Sequence, residues 1–266
     1  MSAAPDPDRL VRYVADGVPC YGLDRGDHFA RLSAAPWQGG RPLGVRDDAA
    51  LARLAPCEPT KIVCIGLNYV EHVRESLTVA PGATAPPAEP LFFFKPPSAA
   101  LAPGAAIVKP AGLERLDPEG EMALVIGRRA RRVSEAGALG HVAGVTCFND
   151  VSARDWQKRD SQWSRAKGSD TFAPFGPCVA LGLDPRDLAL ELSVNGETRQ
   201  RVRTSGMHFG PAFLVSWVSR FVTLEPGDVI ATGTPAGIAP IEPGDVVSVS
   251  IEGVGTLSNP VVAGPA

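Results

Sequence analysis

Glu119 and Glu121 stand two residues apart in the stretch DPEGEMALVIG (117–127), with only Gly120 between them. The run that follows, Met122 to Ile126, is apolar and reads as a buried strand. Side chains at i and i+2 of a strand share a face, so the two carboxylates converge. Charges of like sign this close repel, and burying each is costly unless something compensates. Asp150 ends a second strand-like run, VAGVTCFND (142–150), and meets the pair if the two strands are neighbours. Three oxygen donors without a His or Cys partner suit a hard divalent ion, Mg²⁺ first, with Mn²⁺ or Ca²⁺ as alternatives. The spacing is equally compatible with two glutamates at a solvated strand end.

His72 and Glu75 form a second pair. At i and i+3 of a helix they lie side by side, and a carboxylate beside an imidazole orients it as a general base toward water. The competing reading is a surface helix carrying ordinary polar residues. The stretch PGATAPPAEP (81–90), with four prolines, follows closely and reads as a surface loop able to close over a site. Lys167, in RAKGSDTF, reads either as a solvated loop lysine or as a fixed cation for a carboxylate or enolate. Arg154 and Gln157 follow Asp150 in NDVSARDWQ, and in a helix all three share one face suited to anions or to solvent. TGTPAG (232–237) is a tight turn whose backbone N–H groups and Thr234 bind an oxyanion or merely close the turn. It lacks the Walker pattern, and GxSxG, HExxH and GxGxxG are absent from the chain.

The elements that must position these residues are mostly strands. The 266-residue chain is 44% hydrophobic and 21% charged, with 28 glycines and 26 prolines, which makes turns frequent and long helices rare. Strands are predicted at KIVCIGLN, LFFFK, AAIVKP, EMALVIG, VAGVTCFN and LALELSVNG, the last with an Asn195-Gly196 hairpin turn. LEPGDVIATG and IEPGDVVSVSIEG read as two neighbouring strands. PAFLVSWVSRFV is an amphipathic helix whose Phe213, Trp217 and Phe221 stripe points to the core. Residues 1–57 read as a small β-rich leading unit with a short helix at AALARLA, ahead of a second unit over 58–266. A net charge of −3 without a basic run disfavours nucleic acid and anionic membranes. No apolar run is long enough to span a bilayer, and the leading residues lack a secretory h-region. Five scattered cysteines without a CxxC pair suit reduced thiols in a cytoplasm.

Seven segments together resemble the fumarylacetoacetate hydrolase family: KIVCIGLNYVEHVRE, EGEMALVIG, NDVSARDWQ, RAKGSDTFAPFGP, VNGETRQ, TLEPGDVIATGTPAG and PGDVVSVSIEGVGTLSNPV. They occur in family order from Lys61 to Val262. The resemblance implies a mainly β (α+β) fold, with a mixed β-roll catalytic domain, a homodimer, and one Mg²⁺ or Mn²⁺ per site. It implies metal carboxylates at Glu119, Glu121 and Asp150, a His72–Glu75 dyad, and substrate contacts at Arg154, Gln157, Lys167 and Thr234. It implies 2-oxo or β-diketo acid substrates whose enolate the metal stabilises, with Lys167 helping to hold the charge. The leading expectation is a C–C bond hydrolase of an acylpyruvate-like acid, with His72 activating water. A decarboxylase or tautomerase of an unsaturated 2-oxo diacid, as in aromatic catabolism, is the second. A non-catalytic metal-stabilised binding module is a third, from another class. The sequence departs from the family pattern at Pro118, at Ser169 and in SGMHF (205–209), all bearing on the substrate pocket.

Overall fold

The computed structural model describes residues 6–75 and 85–265. Its organising element is the strand Gly120–Ile126, every residue of which is buried. A strand covered on both faces needs apolar residues at both parities, which is why Met122 to Ile126 is an unbroken apolar run. Ala123 and Val125 pack with Phe148, Ile62 and Val229 on one face. Met122, Leu124 and Ile126 pack on the other with Leu190, Leu192 and Val249.

This strand lies inside an 11-stranded mixed sheet. Antiparallel neighbours Val142–Asn149 and Val229–Ala231 flank it, and Ile62–Gly66 runs parallel to the latter. Leu91–Lys95 closes that edge. The other end is a four-strand antiparallel meander of residues 9–48, joined to Ala173–Leu181 through Arg9 and Leu10. Val11, Tyr13 and Phe29 from this meander lie in the main core cluster. A second, five-stranded sheet packs on the Met122 face: Glu197–Arg203, Ala189–Val194, Val246–Ile251, Gly255–Ala263 and Ile107–Lys109.

Three expectations change. Residues 49–55 form a turn and a bridge, with Val14 N donating to Ala52 O and Leu54 N to Arg12 O, and no helix. A segment this short gains more from pairing with a formed strand than from nucleating its own helix. The two Pro-Gly-Asp strands are not neighbours. Val229–Ala231 joins the large sheet and Val246–Ile251 the small one, because residues 232–245 carry the chain from one layer to the other. The helix Pro211–Phe221 forms as expected, but its aromatic stripe runs off the core. Trp217 is buried, Phe213 half-buried and Phe221 60% exposed, stacked against the half-buried Phe92. Of the proline-rich 81–90 loop, residues 81–84 lie outside the described residues.

Candidate functional site

The strand Gly120–Ile126 and its neighbour Val142–Asn149 pair with Gly120 opposite Asn149. One step outward, Asp150 N donates to Glu119 O at 2.9 Å. This register sets Asp150 beside the two glutamates. Oxygen atoms of Glu119, Glu121 and Asp150 lie within 4.8 Å of one another, and all three residues are buried. The solvated-strand-end reading is therefore excluded.

The opposing charges come from three other elements. Lys167, on the helix Ser164–Gly168, donates from Nζ to Glu119 Oε2 at 2.7 Å and to Asp150 Oδ2 at 2.8 Å. Arg154, opening the helix Arg154–Arg159, donates to Glu119 Oε1 at 2.5 Å, to Asp117 Oδ2 at 2.8 Å and to Gln157 Oε1 at 2.8 Å. Lys95, ending the strand Leu91–Lys95, holds Nζ 2.6 Å from Asp150 Oδ1 and donates to the carbonyls of Phe172 and Val151. Burial works against the Glu119 carboxylate, but Lys167 and Arg154 outweigh it and hold Glu119 well below the usual carboxylate range. Glu121 is moved the other way, far up, by burial and by the Asp150 and Glu119 charges. Its one backbone donor, Gly233 N at 2.8 Å, does not offset them.

The three carboxylates fit a divalent cation. Their donors are all oxygen, and Glu121 carries an unrelieved like-charge conflict.

The backbone around the carboxylates is shaped for close approach. Leu67 adopts a left-handed conformation (φ 58°) at the end of Ile62–Gly66, which turns the chain into the helix Val70–Glu75. Asn68 fixes this turn, donating to the carbonyls of Thr232 and Phe209 and accepting from Phe209 N. Gly233 faces Asn68, where a Cβ would come within 2.7 Å of the asparagine Cβ. The helix brings His72 to the pocket, buried at 6% exposure. His72 Nδ1 stands 3.7 Å from Glu75 Oε2 and has no hydrogen-bond partner among the described residues. Glu75 Oε2 accepts instead from Gly237 N at 3.0 Å.

His72, Glu119, Glu121, Asp150, Arg154, Gln157, Lys167 and Thr234 all line one pocket, closed on one side by Phe93 and Trp163. Glu75 stands behind His72 and does not line it. Sequence reasoning missed Lys95, Asp117 and Gln200, each almost wholly buried. Lys95 had a signal, a lysine ending the apolar run LFFFK. Asp117, which binds Arg115 and Arg154, and Gln200 had none beyond their place in the quoted segments.

The family model for the fumarylacetoacetate (FAA) hydrolase C-terminal domain matches residues 61–262. The chain belongs to the fumarylacetoacetate hydrolase family. It is 49% identical to the Mycobacterium tuberculosis protein Rv2993c over 212 residues, 79% of this chain and 78% of that one. It is 41% identical to the mitochondrial oxaloacetate tautomerase FAHD2A of Bos taurus over 253 residues, 90% of this chain and 78% of that one. Among solved structures, the 2-hydroxyhepta-2,4-diene-1,7-dioate isomerase of Mycobacterium marinum superposes with a TM-score of 0.88 at 40% identity, covering 97% of this chain and 100% of that one. The maleylpyruvate hydrolase of Sphingobium sp. SYK-6, solved with manganese and pyruvate, gives 0.78 at 27% identity, again over 97% and 100%. Members of this family are enzymes, and those named here include a tautomerase, an isomerase and a hydrolase. No described helix is long and apolar enough to cross a membrane.

Proposed function

We propose that this family member is a divalent-metal-dependent isomerase of 2-oxo diacids, interconverting keto and enol forms by moving a proton between carbon and oxygen. The observation that carries the reading is the convergence of His72, Lys167, Arg154, Gln157 and three buried carboxylates on one pocket. Glu119, Glu121 and Asp150 would hold Mg²⁺ or Mn²⁺. When bound, that ion supplies Lewis acidity to a 2-oxo carbonyl and its adjacent carboxylate.

The remaining work falls to this chain's own side chains. Lys167 Nζ is a fixed, buried cation at the carboxylate cluster, and such a charge stabilises negative charge on a substrate oxygen without reorganising. Arg154 is locked by Asp117 and Glu119 and brings Gln157 to the pocket through Gln157 Oε1, leaving the Gln157 amide protons to face a substrate carboxylate. Thr234 borders the same space. His72 takes the proton from the carbon next to the carbonyl and hands it to the enolate oxygen, and in the reverse direction carries it from the enol oxygen back to that carbon. Glu75, anchored by Gly237 N, holds the helix that carries His72. The net reaction relocates one proton and neither gains nor loses an atom.

The isomerase reading is favoured over C–C bond hydrolysis by the relatives. The tautomerase and the isomerase match at 41% and 40% identity, against 36% for the fumarylacetoacetate hydrolase of Exiguobacterium antarcticum and 27% for the maleylpyruvate hydrolase. Hydrolysis of an acylpyruvate-like acid is the second reading. It would use the same residues, with His72 taking its proton from water. A homodimer belongs to the same reading, and Phe94 and Phe221, 46% and 60% exposed and both packed against Phe92, are apolar surface it would cover.

The deciding experiment follows three substrates with Mg²⁺ or Mn²⁺ present. The ultraviolet absorbance of enol-oxaloacetate and of a 2-hydroxydienedioate is expected to decay far faster than in buffer. Cleavage of an acylpyruvate with no effect on either enol would establish the hydrolase reading instead. Inertness toward all three overturns both.

A further inference from the structure

Gln200 is the one buried residue of the strand Glu197–Arg203, at 1% exposure, where its six neighbours are exposed or half-exposed. The single inward position of such a strand ordinarily carries an apolar side chain, as its cross-strand partner Leu192 does. A buried amide there is tolerable only with its polar atoms engaged. Oε1 accepts from Gly120 N at 2.8 Å, and Nε2 donates to Thr234 Oγ1 at 2.9 Å and to Pro235 O at 2.8 Å. Thr234 Oγ1 in turn donates to Gly120 O at 3.0 Å.

These bonds close a ring: Gly120 N–H to Gln200, Gln200 to Thr234, Thr234 back to the Gly120 carbonyl. Gly120 is the residue between Glu119 and Glu121. Alternation along its strand sends the two carboxylates to one face and Gly120 to the other, against the small sheet. A Cβ on Gly120 would meet Leu192 Cβ at 2.9 Å and Gln200 Oε1 at 3.1 Å, so the glycine is what admits the amide. The ring fixes two things together. It holds the peptide joining the two glutamates, and it sets the rotamer and proton direction of the Thr234 hydroxyl at the pocket wall.

From this geometry we infer that Gln200 is a positioning residue for the active site, acting through Thr234 and through the Gly120 peptide without touching substrate. The inference rests on the reading of the pocket as a metal and 2-oxo acid site. It assigns the small sheet a part in ligand binding. The sheet carries the clamp that aligns the 232–235 turn with the carboxylate strand.

Oxalate, a mimic of the carboxylate and adjacent oxygen of a 2-oxo acid, tests this without turnover. Its affinity is measured by calorimetry at saturating Mn²⁺ for wild type, Gln200→Leu, Thr234→Val and the double variant. Gln200→Leu is expected to weaken oxalate by about tenfold, the worth of one to two hydrogen bonds. In the Thr234→Val background the same change is expected to cost much less, since the partner is already gone. Val249→Ala, a cavity in the same sheet away from the ring, is expected to lower thermal stability and leave oxalate affinity unchanged. Gln200→Met replaces Gln200→Leu if the latter does not fold. An unaltered oxalate affinity, additive effects in the cycle, or equal weakening by Val249→Ala would each overturn the inference. Wild type that binds no oxalate with Mn²⁺ overturns the reading of the pocket itself, and the inference with it.

Discussion

His72 Nδ1 and Glu75 Oε2 face each other at 3.7 Å, side by side on one helix but outside hydrogen-bond reach. The glutamate oxygen is held by Gly237 N, on the turn that also carries Thr234. The carboxylate therefore anchors the helix to the 232–238 turn first and orients the imidazole second. Burial acts to raise the Glu75 carboxyl, but His72 and the Gly237 and Ile238 N–H groups overcome this and lower it.

This division of labour separates the two variants. His72→Ala is expected to slow enol–keto exchange by about 10²–10⁴-fold, the range of a positioned general base. Glu75→Gln keeps a side-chain oxygen for Gly237 N and is expected to cost less. Rates for both are measured with Mn²⁺ saturating on enol-oxaloacetate. A His72→Ala protein at wild-type rate would remove the imidazole from the mechanism.

Lys167 bridges two of the three carboxylates, so a divalent ion and this ammonium relieve the same repulsion. Chelation with EDTA is expected to abolish activity and lower the melting temperature, and Mg²⁺ or Mn²⁺ to restore both. Lys167→Met removes a cation shared by two buried carboxylates and leaves Glu119 only Arg154 and Asp150 only Lys95, a loss of up to about 3–5 kcal/mol. Its metal-free form is expected to melt well below wild type, with a larger rise on adding metal. Calorimetric melting with and without Mn²⁺ reads both effects, and an equal metal-induced rise in the two proteins would contradict the shared role.

Glu121 gives the metal-free protein a pH signature. Burial, then Asp150 and Glu119, push its carboxyl well above the ordinary value of 4.5. A group raised on folding contributes stability below its unfolded value and loses it as pH rises toward the folded value. The metal-free melting temperature is thus expected to fall as pH climbs from the ordinary glutamate range, and Glu121→Gln to flatten that fall. Glu119, lowered by Lys167 and Arg154 against the opposing effect of burial, has the opposite sign, and its contribution is lost only in acid. A melting series across pH on chelated wild type and Glu121→Gln decides this. A fall of equal slope in both would place its origin elsewhere.

Gly120→Ala is expected to destabilise by about 1–3 kcal/mol, the usual cost of overpacking, because the added methyl meets Leu192 Cβ at 2.9 Å. Gly120 does not have a positive φ, so the cost comes from the two-layer contact and not from its backbone. Leu192→Ala keeps Cβ but removes the Leu192 Cδ1 contact at 3.1 Å, so in that background Gly120→Ala is expected to cost less. Urea unfolding of wild type, the two single variants and the double variant is the measurement. Equal destabilisation with and without Leu192→Ala would show that the two side chains do not compete for that space.

Much of the candidate site's local geometry was legible because local spacing is fixed by the backbone. A period of two along a strand places Glu119 and Glu121 on one face, and i, i+3 on a helix places His72 beside Glu75, whatever the rest of the chain does. The Asn195-Gly196 turn likewise set its hairpin, with both residues at positive φ. What compensates the carboxylates was not legible. Lys95 reaches Asp150 from 55 residues away in sequence, and Gln200 reaches Gly120 from 80. Those meetings depend on the strand order of the large sheet and on the second sheet lying over Gly120. Neither is a property of any window of residues. The same reason explains the misplaced neighbours near the end, where two similar Pro-Gly-Asp strands enter different sheets. Residue type and spacing determined which groups could do the chemistry. Only the packing of two sheets decided which cations neutralise them, which amide aligns them, and how tightly they are held, because burial and charge compensation are set by whatever tertiary neighbours arrive.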